Sequence, residues 1–426
     1  MNPLKRILKQ REQASIKGVY SACTANFTVI EAVLRKGKET MTPIVIEATA
    51  NQVDQYGGYT GMKPSDFADK VKELCEHLDV DFNQIILGGD HLGPLTFTKY
   101  HEEKAMKEAS ELVKQYVLAG FTKIHIDTSM KVASDDVAVP LNPYVMAKRA
   151  KILMDVAEEA YQQRLKQYSD AIAPCYMIGS EVPIPGGEQE VVDTLAVTKP
   201  EDFIETVAIF SEILGEKHMD NVVAIVVQPG VEFGDNQVFY YNPQAAKSLI
   251  EAKHLYPNLV FEGHSTDYQK KEDLRAMVDD HIAILKVGPA LTFAYRQALY
   301  ALDQIEKEIG VTKPSFLREV INQAMMQEPK YWHKYYQGTA NELEVKKNFS
   351  YSDRIRYYLP FPTVEKAIEL LKENINHSTI PLPLIKQWLP KQYDQLVNGR
   401  IQCTFDDLVM DVIGEFIDDY IYAIKR

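Results

Sequence analysis

The sequence predicts an α/β fold, a TIM (β/α)8 barrel with a C-terminal helical extension. Eight short apolar runs recur along residues 1–310, and helix-like stretches separate them. The runs are too continuously apolar for strands with one exposed face, and a closed parallel barrel buries both faces of its strands. We therefore predict one barrel over residues 1–310 and a helical extension over residues 311–426 that packs on it.

Each predicted strand is rich in Val, Ile and Leu and stops at glycine, proline or a polar side chain. The predicted strands are, in order, residues 18–23, 43–49, the run that starts at Ile85, 123–129, 175–181, 222–228, 259–264 and 283–288. The predicted helices lie near residues 29–36, 64 onward, 100–119, 143–167, 200–214, 242–255, 269–280 and 294–308.

The third strand is the most informative, because residues 85–94 read Ile-Ile-Leu-Gly-Gly-Asp-His-Leu-Gly-Pro. The apolar run ends at Asp90 and His91, where a buried strand meets a loop. A histidine there can bind a divalent metal through a ring nitrogen, and the adjacent aspartate can take or give a proton. An isolated Asp-His pair also caps helices and turns, so the interpretation depends on how the other strands end.

The other predicted strands also end in ionisable side chains. In a parallel barrel the C-terminal strand ends form the rim that carries the active site. A bound divalent cation is the simplest agent that makes many acids and imidazoles favourable together. His125 is interpreted as an interior histidine rather than a ligand. The rim would hold Glu47, Asp90, His91, Asp127, Ser129, Glu181, Gln228, Glu262, His264 and Lys286.

The predicted metal site takes its ligands from several strand ends. His91 and His264 are the best candidates, and Glu181 or Gln228 could supply an oxygen. A mixed nitrogen and oxygen set fits Zn²⁺, Mn²⁺ or Ni²⁺. Asp90 and Glu181 are the candidate catalytic residues.

A phosphate site is predicted in the loops after the seventh and eighth strands, which hold phosphate in many barrels. Ser265 and Thr266 in one loop and Gly288 in the other offer hydroxyls and helix-start amides. The same residue types also make ordinary turns. The remaining candidate substrate-binding residues are Asn51, Gln52 and Lys286, and Lys286 could instead neutralise the acidic rim.

Composition excludes several classes of function. The formal charge of −13 and the lack of a basic run argue against nucleic acid and against an anionic membrane surface. No stretch approaches the length of a membrane span. The four cysteines form no CxxC pair, which suits a reducing cytoplasm and disfavours a thiolate metal site.

The extension is punctuated by prolines and carries two aromatic and basic clusters, residues 331–336 and 354–358. Such clusters more often pack against a barrel or a subunit than bind a ligand.

Seven blocks of this chain resemble the signature blocks of the GatZ/KbaZ family. They are residues 51–53 with 57–62, 88–94, 179–188, 227–233, 262–268, 285–294 and 352–358. The resemblance runs from near residue 15 to near residue 415. It implies a subunit of tagatose-1,6-bisphosphate aldolase that supports a separate catalytic subunit, or a metal-dependent 4-epimerase of tagatose 6-phosphate, fructose 6-phosphate or uronates. Some family members are labelled tagatose-6-phosphate kinases, but this sequence has no Walker-type Gly-Lys-Ser/Thr loop.

The family is similar in turn to class II aldolases, which use an Asp-His pair after strand three and metal histidines after strands six and seven. Asp90, His91 and His264 match that pattern, whereas Gln228 stands where a histidine is expected. Three hypotheses follow from the resemblance: a non-catalytic aldolase subunit, a stand-alone epimerase, and a barrel that binds a sugar phosphate without turnover. The resemblance implies three partners for this chain: a sugar phosphate, a class II aldolase catalytic subunit, and further copies of the chain itself.

Overall fold

The computed structural model describes residues 1–179 and 195–426. The barrel strands are β1 (Val19–Cys23), β2 (Ile44–Thr49), β3 (Ile85–Leu92), β4 (Lys123–Ile126), β5 (Cys175–Ile178), β6 (Val222–Val227), β9 (Val260–Gly263) and β10 (Ile282–Val287). These eight parallel strands close into a barrel in the order β1-β10-β9-β6-β5-β4-β3-β2, which confirms the predicted fold class. A small antiparallel hairpin, β7 (Glu232–Phe233) and β8 (Val238–Phe239), follows β6.

Helices surround the barrel at the places that the sequence predicts. Proline occupies the first turn of several of them, where its missing N–H costs nothing. The helices of the barrel region are α1 (Pro3–Gln10), α2 (Phe27–Thr40), α3 (Pro64–His77), α4 (Glu102–Leu118), α5 (Pro143–Gln167), α6 (Pro200–Met219), α7 (Pro243–Lys253), α8 (Lys271–Asp279) and α9 (Pro289–Ile309). Helix α9 begins earlier than predicted because Pro289 starts it directly after β10.

The helices after Gly310 are α10 (Leu317–Gln327), α11 (Ala340–Phe349), α12 (Pro362–His377), α13 (Leu382–Trp388), α14 (Pro390–Val397) and α15 (Phe405–Ile424). A 3₁₀ turn at Arg354–Tyr357 lies between α11 and α12. Helix α15 packs against α2, α8 and α9 and against strand β1. The Tyr420 ring lies 5.7 Å from the Tyr20 ring, and the Tyr420 hydroxyl donates to the Thr266 carbonyl at 2.8 Å.

The N-terminal end of the barrel is closed by α1. Leu4 and Leu8 are buried among strand residues such as Val45 and Ile86, in an apolar cluster inside the barrel. The Asn2 side chain caps α1 and also donates to the carbonyls of Thr122 and Ala173. This plug leaves the opposite end of the barrel as its open mouth. No helix in the described ranges is both long and apolar enough to cross a membrane.

Two glycines let the barrel bring polar groups into its interior. A Cβ on Gly88 would lie 2.5 Å from the Glu47 Cγ, so glycine makes room for that side chain. A Cβ on Gly93 would lie 1.7 Å from the Asp127 carbonyl oxygen, so the loop after β3 approaches β4 as only glycine allows. The glycines around Asp90 and His91 therefore serve the geometry of the strand end.

Candidate active site

A cavity of about 570 Å³ opens at the C-terminal mouth of the barrel. Strand ends supply its deeper wall, including Asp90, His91, His264 and Lys286. The extension supplies the opposite wall through the Arg354–Tyr357 turn and α12. The cavity is within the size range of pockets that hold small metabolites.

A layer of paired charges lies inside the barrel beside this cavity. Lys123 points inward from the start of β4, forms an ion pair with Glu47, and lies 2.7 Å from a Glu262 oxygen. All three side chains are fully buried. Burial disfavours the charged form of each group, and the opposite charges reverse that effect: the pKa of Lys123 is raised and that of Glu262 is lowered. The layer therefore holds its ions because each has a partner.

Lys286 links that layer to the strand-three aspartate. Its ammonium pairs with Glu47 and lies 2.7 Å from an Asp90 oxygen. Burial opposes ionisation of Asp90, but His91 and Lys286 outweigh it and hold the pKa of Asp90 well below its usual range. Asp90 is therefore an ionised carboxylate that faces the cavity.

His91 has a left-handed backbone, with φ of 51°. A non-glycine residue in that conformation is strained, and such strain is concentrated at functional sites. The His91 Nδ1 lies 2.8 Å from Asp127, which also accepts hydrogen bonds from the amide and hydroxyl of Ser129. Burial lowers the pKa of His91, but Asp90 and Asp127 reverse this and raise it overall. Asp127 thereby fixes the ring so that Nε2 faces the Asp90 side.

His264 follows β9, and its Nε2 lies 3.0 Å from Glu262. Burial lowers the pKa of His264 to about 4 despite the nearby carboxylates. The imidazole is therefore neutral at pH 7, which is the protonation state that can bind a metal ion.

His125 joins the cluster from β4, although we interpreted it as an interior histidine. Its Nδ1 lies 2.8 Å from Asp90 Oδ1. Its Nε2 is buried and has no hydrogen-bond partner among the described residues. The His91 amide also lies 3.3 Å from this Nδ1, so the atom either accepts from that amide or donates to Asp90, depending on the tautomer. In the tautomer that donates to Asp90, the lone pair on Nε2 is available to a ligand. A buried polar atom without a partner is costly unless something binds it.

The rings of three histidines lie close together, although His91 is not among the residues whose ligand atoms cluster within 4.8 Å. The ring centres of His91, His125 and His264 lie 5.0, 5.1 and 5.2 Å apart in pairs. Three imidazoles that share a tetrahedral ion have ring centres about 5 Å apart. Ligand atoms of Asp90, His125, Glu262 and His264 also lie within 4.8 Å of one another. The donor set and the unpaired His125 nitrogen fit a divalent cation, and the structure thus contains a candidate metal-binding cluster.

The predicted phosphate residues are placed differently from one another. Ser265 faces the cavity, whereas the Thr266 hydroxyl is buried and donates to the Lys286 carbonyl at 2.6 Å. The Gly288 amide lines the cavity but donates to the Asp267 carboxylate at 3.0 Å. The loop residues Asn51 and Gln52 line the cavity.

Of the two candidate oxygen ligands, only Gln228 lies within the described residues, and it does not join the cluster. The Gln228 Oε1 accepts hydrogen bonds from the amides of Gly230 and Val231 in its own loop, at 2.8 and 3.0 Å. It is therefore bound locally and does not reach the histidines. Glu181 falls outside the described residues.

Three residues in or beside the cavity are not among the site residues that the sequence predicts: Lys123, Asp267 and Arg356. Lys123 begins its strand, where a polar residue usually marks a loop. Asp267 lies in a block that we used only for its hydroxyls, and Arg356 lies in a cluster that we assigned to packing. The one usable signal was the charge of Lys123 beside an otherwise apolar strand.

Comparisons with known proteins cover nearly the whole chain. The family model described as "D-tagatose-1,6-bisphosphate aldolase subunit GatZ/KbaZ-like" matches residues 4–425. Relatives from Salmonella dublin and Salmonella enteritidis PT4, both named D-tagatose-1,6-bisphosphate aldolase subunit GatZ, are 43% identical over 98% of this chain and 98% of theirs. A crystal structure from Sinorhizobium meliloti 1021, titled as a probable tagatose 6 phosphate kinase, is 39% identical. It has a TM-score of 0.86 and covers 95% of this chain and 100% of its own.

Proposed function

The chain belongs to the D-tagatose-1,6-bisphosphate aldolase subunit GatZ/KbaZ-like family, and we propose that it is a subunit of that aldolase in tagatose 6-phosphate degradation. In this role it supports the activity and stability of a separate catalytic subunit. The observation that carries the proposal is the match to relatives of that name over 98% of both chains. The same proposal includes a partner of the class II aldolase type, a sugar-phosphate ligand and a cytoplasmic location. All four cysteines are free in the structure, which agrees with that location.

The test combines this protein with a class II tagatose-bisphosphate aldolase catalytic subunit. We expect a higher aldolase rate and a higher Tm for the mixture than for the catalytic subunit alone, with co-elution on size exclusion. A mixture that behaves as the sum of its parts contradicts the subunit role.

A second function, metal-dependent 4-epimerisation of a ketose 6-phosphate, is favoured by the geometry of the cavity. A purely supportive subunit does not need an ionised Asp90 held by Lys286, or a buried His125 nitrogen that has no hydrogen-bond partner among the described residues. His91, His125 and His264 would hold a divalent ion such as Zn²⁺, Mn²⁺ or Ni²⁺. When bound, such an ion polarises a carbonyl and stabilises the negative charge that develops next to it.

The residues of the chain can carry the proton steps of that reaction. The Asp90 carboxylate accepts the proton of the C4 hydroxyl as the bond between C3 and C4 breaks, which leaves an aldehyde and a three-carbon enediolate. Lys286 keeps Asp90 ionised before the step and stays beside it afterwards. Asp90 returns the proton when the bond re-forms on the other face of the rotated aldehyde. Departure of the aldehyde instead would be aldol cleavage.

NMR of the purified protein alone separates the two functions. We would supply Mn²⁺, Zn²⁺ or Ni²⁺ in turn and incubate with tagatose 6-phosphate. Formation of fructose 6-phosphate supports the epimerase. No product with any of the metals leaves the subunit role as the proposal. The Asp90→Asn variant, added to the aldolase mixture above, shows whether support of a partner needs the cavity.

A further inference from the structure

The loops after β9 and β10 already contain a bound carboxylate, that of Asp267. The Gly288 and Ala290 amides donate to Asp267 Oδ1 at 3.0 and 2.8 Å, at the start of α9. Barrels of this type commonly bind a substrate phosphate with these amides. Here the side chain of Asp267, only 2% exposed, takes that place. A phosphate at the same amides would have to displace this carboxylate or lie against its charge.

The neighbouring hydroxyl is also committed to the protein. Thr266 donates to the Lys286 carbonyl and contacts the Tyr420 hydroxyl at 3.4 Å, so it ties the two loops to α15. Only Ser265 of this loop pair offers a hydroxyl to the cavity. The predicted phosphate cradle is therefore filled by the chain itself.

The wall contributed by the extension has the opposite character, because it carries a guanidinium that no described carboxylate contacts directly. Asp353 and Asp267 act on it only from a longer distance. Arg356 lines the cavity from the 3₁₀ turn. Within residues 1–179 and 195–426, no carboxylate lies within 4.0 Å of its guanidinium nitrogens. Glu365 and Glu369 line the same cavity but do not pair with it. By contrast, Lys286 is neutralised by Glu47 and Asp90.

Neutral acceptors hold the Arg356 side chain in position. One terminal nitrogen donates to the carbonyls of Ser352 and Asp353, and the other lies 3.1 Å from the Tyr357 hydroxyl. These contacts orient the guanidinium without cancelling its charge. A planar guanidinium fixed in this way is suited to a phosphate, which it can bind through two parallel N–H groups.

The turn that carries Arg356 is itself anchored to the barrel. Asp353 adopts a left-handed backbone with φ of 43°. Its carboxylate accepts hydrogen bonds from Thr292 at 2.6 Å and from Arg296 at 2.8 Å, both on α9. The Tyr268 hydroxyl donates to the Tyr351 carbonyl at 2.6 Å. The extension therefore presents Arg356 from a rigid support, as a preorganised binding residue requires.

We propose that Arg356 binds the phosphate of the substrate, and that Asp267 occupies the place of a second phosphate, so that the cavity selects a ketose with one phosphate over a ketose bisphosphate. This inference rests on the proposed sugar-phosphate function. It makes the helical extension part of the substrate site. It also assigns to this chain a ligand different from the bisphosphate that an aldolase partner cleaves.

Calorimetry on the full-length protein tests the proposal without relying on turnover. The probes are D-fructose 6-phosphate and D-fructose 1,6-bisphosphate, each measured with and without Zn²⁺. We expect the monophosphate to bind at least about tenfold more tightly than the bisphosphate. Arg356→Met should weaken monophosphate binding by about tenfold or more, while Arg356→Lys keeps part of the affinity. Arg400→Met, which removes the same charge from the exposed surface, should change nothing.

The Asp267→Ser variant tests the other half of the proposal. Without the carboxylate, the relative affinity for the bisphosphate should rise by about tenfold or more. Asp267→Asn keeps a side-chain oxygen that can accept from the Gly288 and Ala290 amides, and it replaces the serine variant if that variant does not fold. We expect a smaller rise in the relative affinity for the bisphosphate in Asp267→Asn. Unchanged monophosphate affinity in Arg356→Met, or unchanged selectivity in both Asp267 variants, overturns the inference. If the wild type binds neither probe, the sugar-phosphate function itself fails.

Discussion

Lys123, inside the barrel, and Arg356, on the cavity wall, are both cations, but their surroundings differ. Lys123 is fully buried between two carboxylates that also contact other residues of the layer. Arg356, on the cavity wall, is oriented by carbonyls and a phenol, and no described carboxylate pairs with it. A buried ion with its counter-ions present contributes to structure. An oriented ion without one contributes to binding. The same contrast separates the Nδ1 of His125, bonded to Asp90, from its unpaired Nε2.

The largest expected effect is on the turnover rate, and it follows substitution of Asp90 in the cavity. In Asp90→Asn the residue can no longer accept a proton, so turnover of tagatose 6-phosphate should fall by roughly 10²-fold to 10⁴-fold, as measured by NMR. The thermal unfolding curve should show that the variant is folded. Asp170→Asn makes the same chemical change on the exposed surface and should keep the wild-type rate. An Asp90→Asn protein that turns over normally would exclude this residue as the base.

Removing the Lys123 charge from the buried layer of paired charges should lower the free energy of unfolding. Lys123→Met leaves Glu47 and Glu262 buried with one cation fewer, and we expect a loss of about 3–5 kcal/mol in the free energy of unfolding. Urea denaturation measures this loss. Lys148→Met, at an exposed position of α5, should change the value by less than about 0.5 kcal/mol. A similar small loss for both variants would show that Lys123 is not needed to hold the two carboxylates.

Asp267 provides a pH-dependent test, because it is buried and forms no direct ion pair among the described residues, although Arg356 lowers its pKa from a distance. Burial raises its pKa to about 6 despite its amide hydrogen bonds. The folded protein therefore keeps the proton that the unfolded chain releases near pH 4, and stability falls as pH rises from about 4 to 6. Asp267→Asn removes this loss, so the stability of the variant relative to wild type should grow by up to about 3 kcal/mol across that range. Urea unfolding of both proteins at pH 4, 5, 6 and 7 measures it, and a constant difference would contradict it.

The smallest effect is expected at the unpaired nitrogen. His125→Phe should weaken Zn²⁺ binding by about tenfold or more, measured by calorimetry with the metal alone. His264→Ala gives the comparison for a residue that we expect to be required for metal binding. His77→Phe, on the exposed face of α3, should bind as wild type does. Equal affinity in His125→Phe and wild type would return His125 to the interior role that we first assigned to it.

The sequence predicts features whose signals are local. Residues Val222–Val227 form a strand of the barrel wall, where both faces of an uninterrupted apolar run are buried. Asp90 and His91 lie at the mouth because the run before them ends there. The site as a cluster is less predictable, since Lys286 meets Glu47 across 239 positions of the chain.

The failures have the same origin. Gln228 was a reasonable ligand by position, but its oxygen is bound by amides two and three residues later. Whether the Gln228 oxygen binds these amides or a metal ion depends on the backbone conformation of the turn, which the residue types alone do not determine. The Asp267 carboxylate accepts from an amide of α9, and Arg356 lines the cavity from the extension, and the local sequence marks neither contact. The domain boundary at residue 310 and the roles of the site residues stay predictions.

The packing of α15 has a consequence for how the protein is made. This helix packs on β1 and on the helices α2, α8 and α9, which come from early and late parts of the barrel sequence. The Lys17 amide donates to the Ile424 carbonyl, and the Arg426 amide donates to the Ser15 carbonyl. Because α15 follows the barrel in the chain, Tyr20 has no Tyr420 ring to pack against until α15 has been synthesised. Until then the nascent barrel has an uncovered apolar flank, which is where we expect chaperones to engage it.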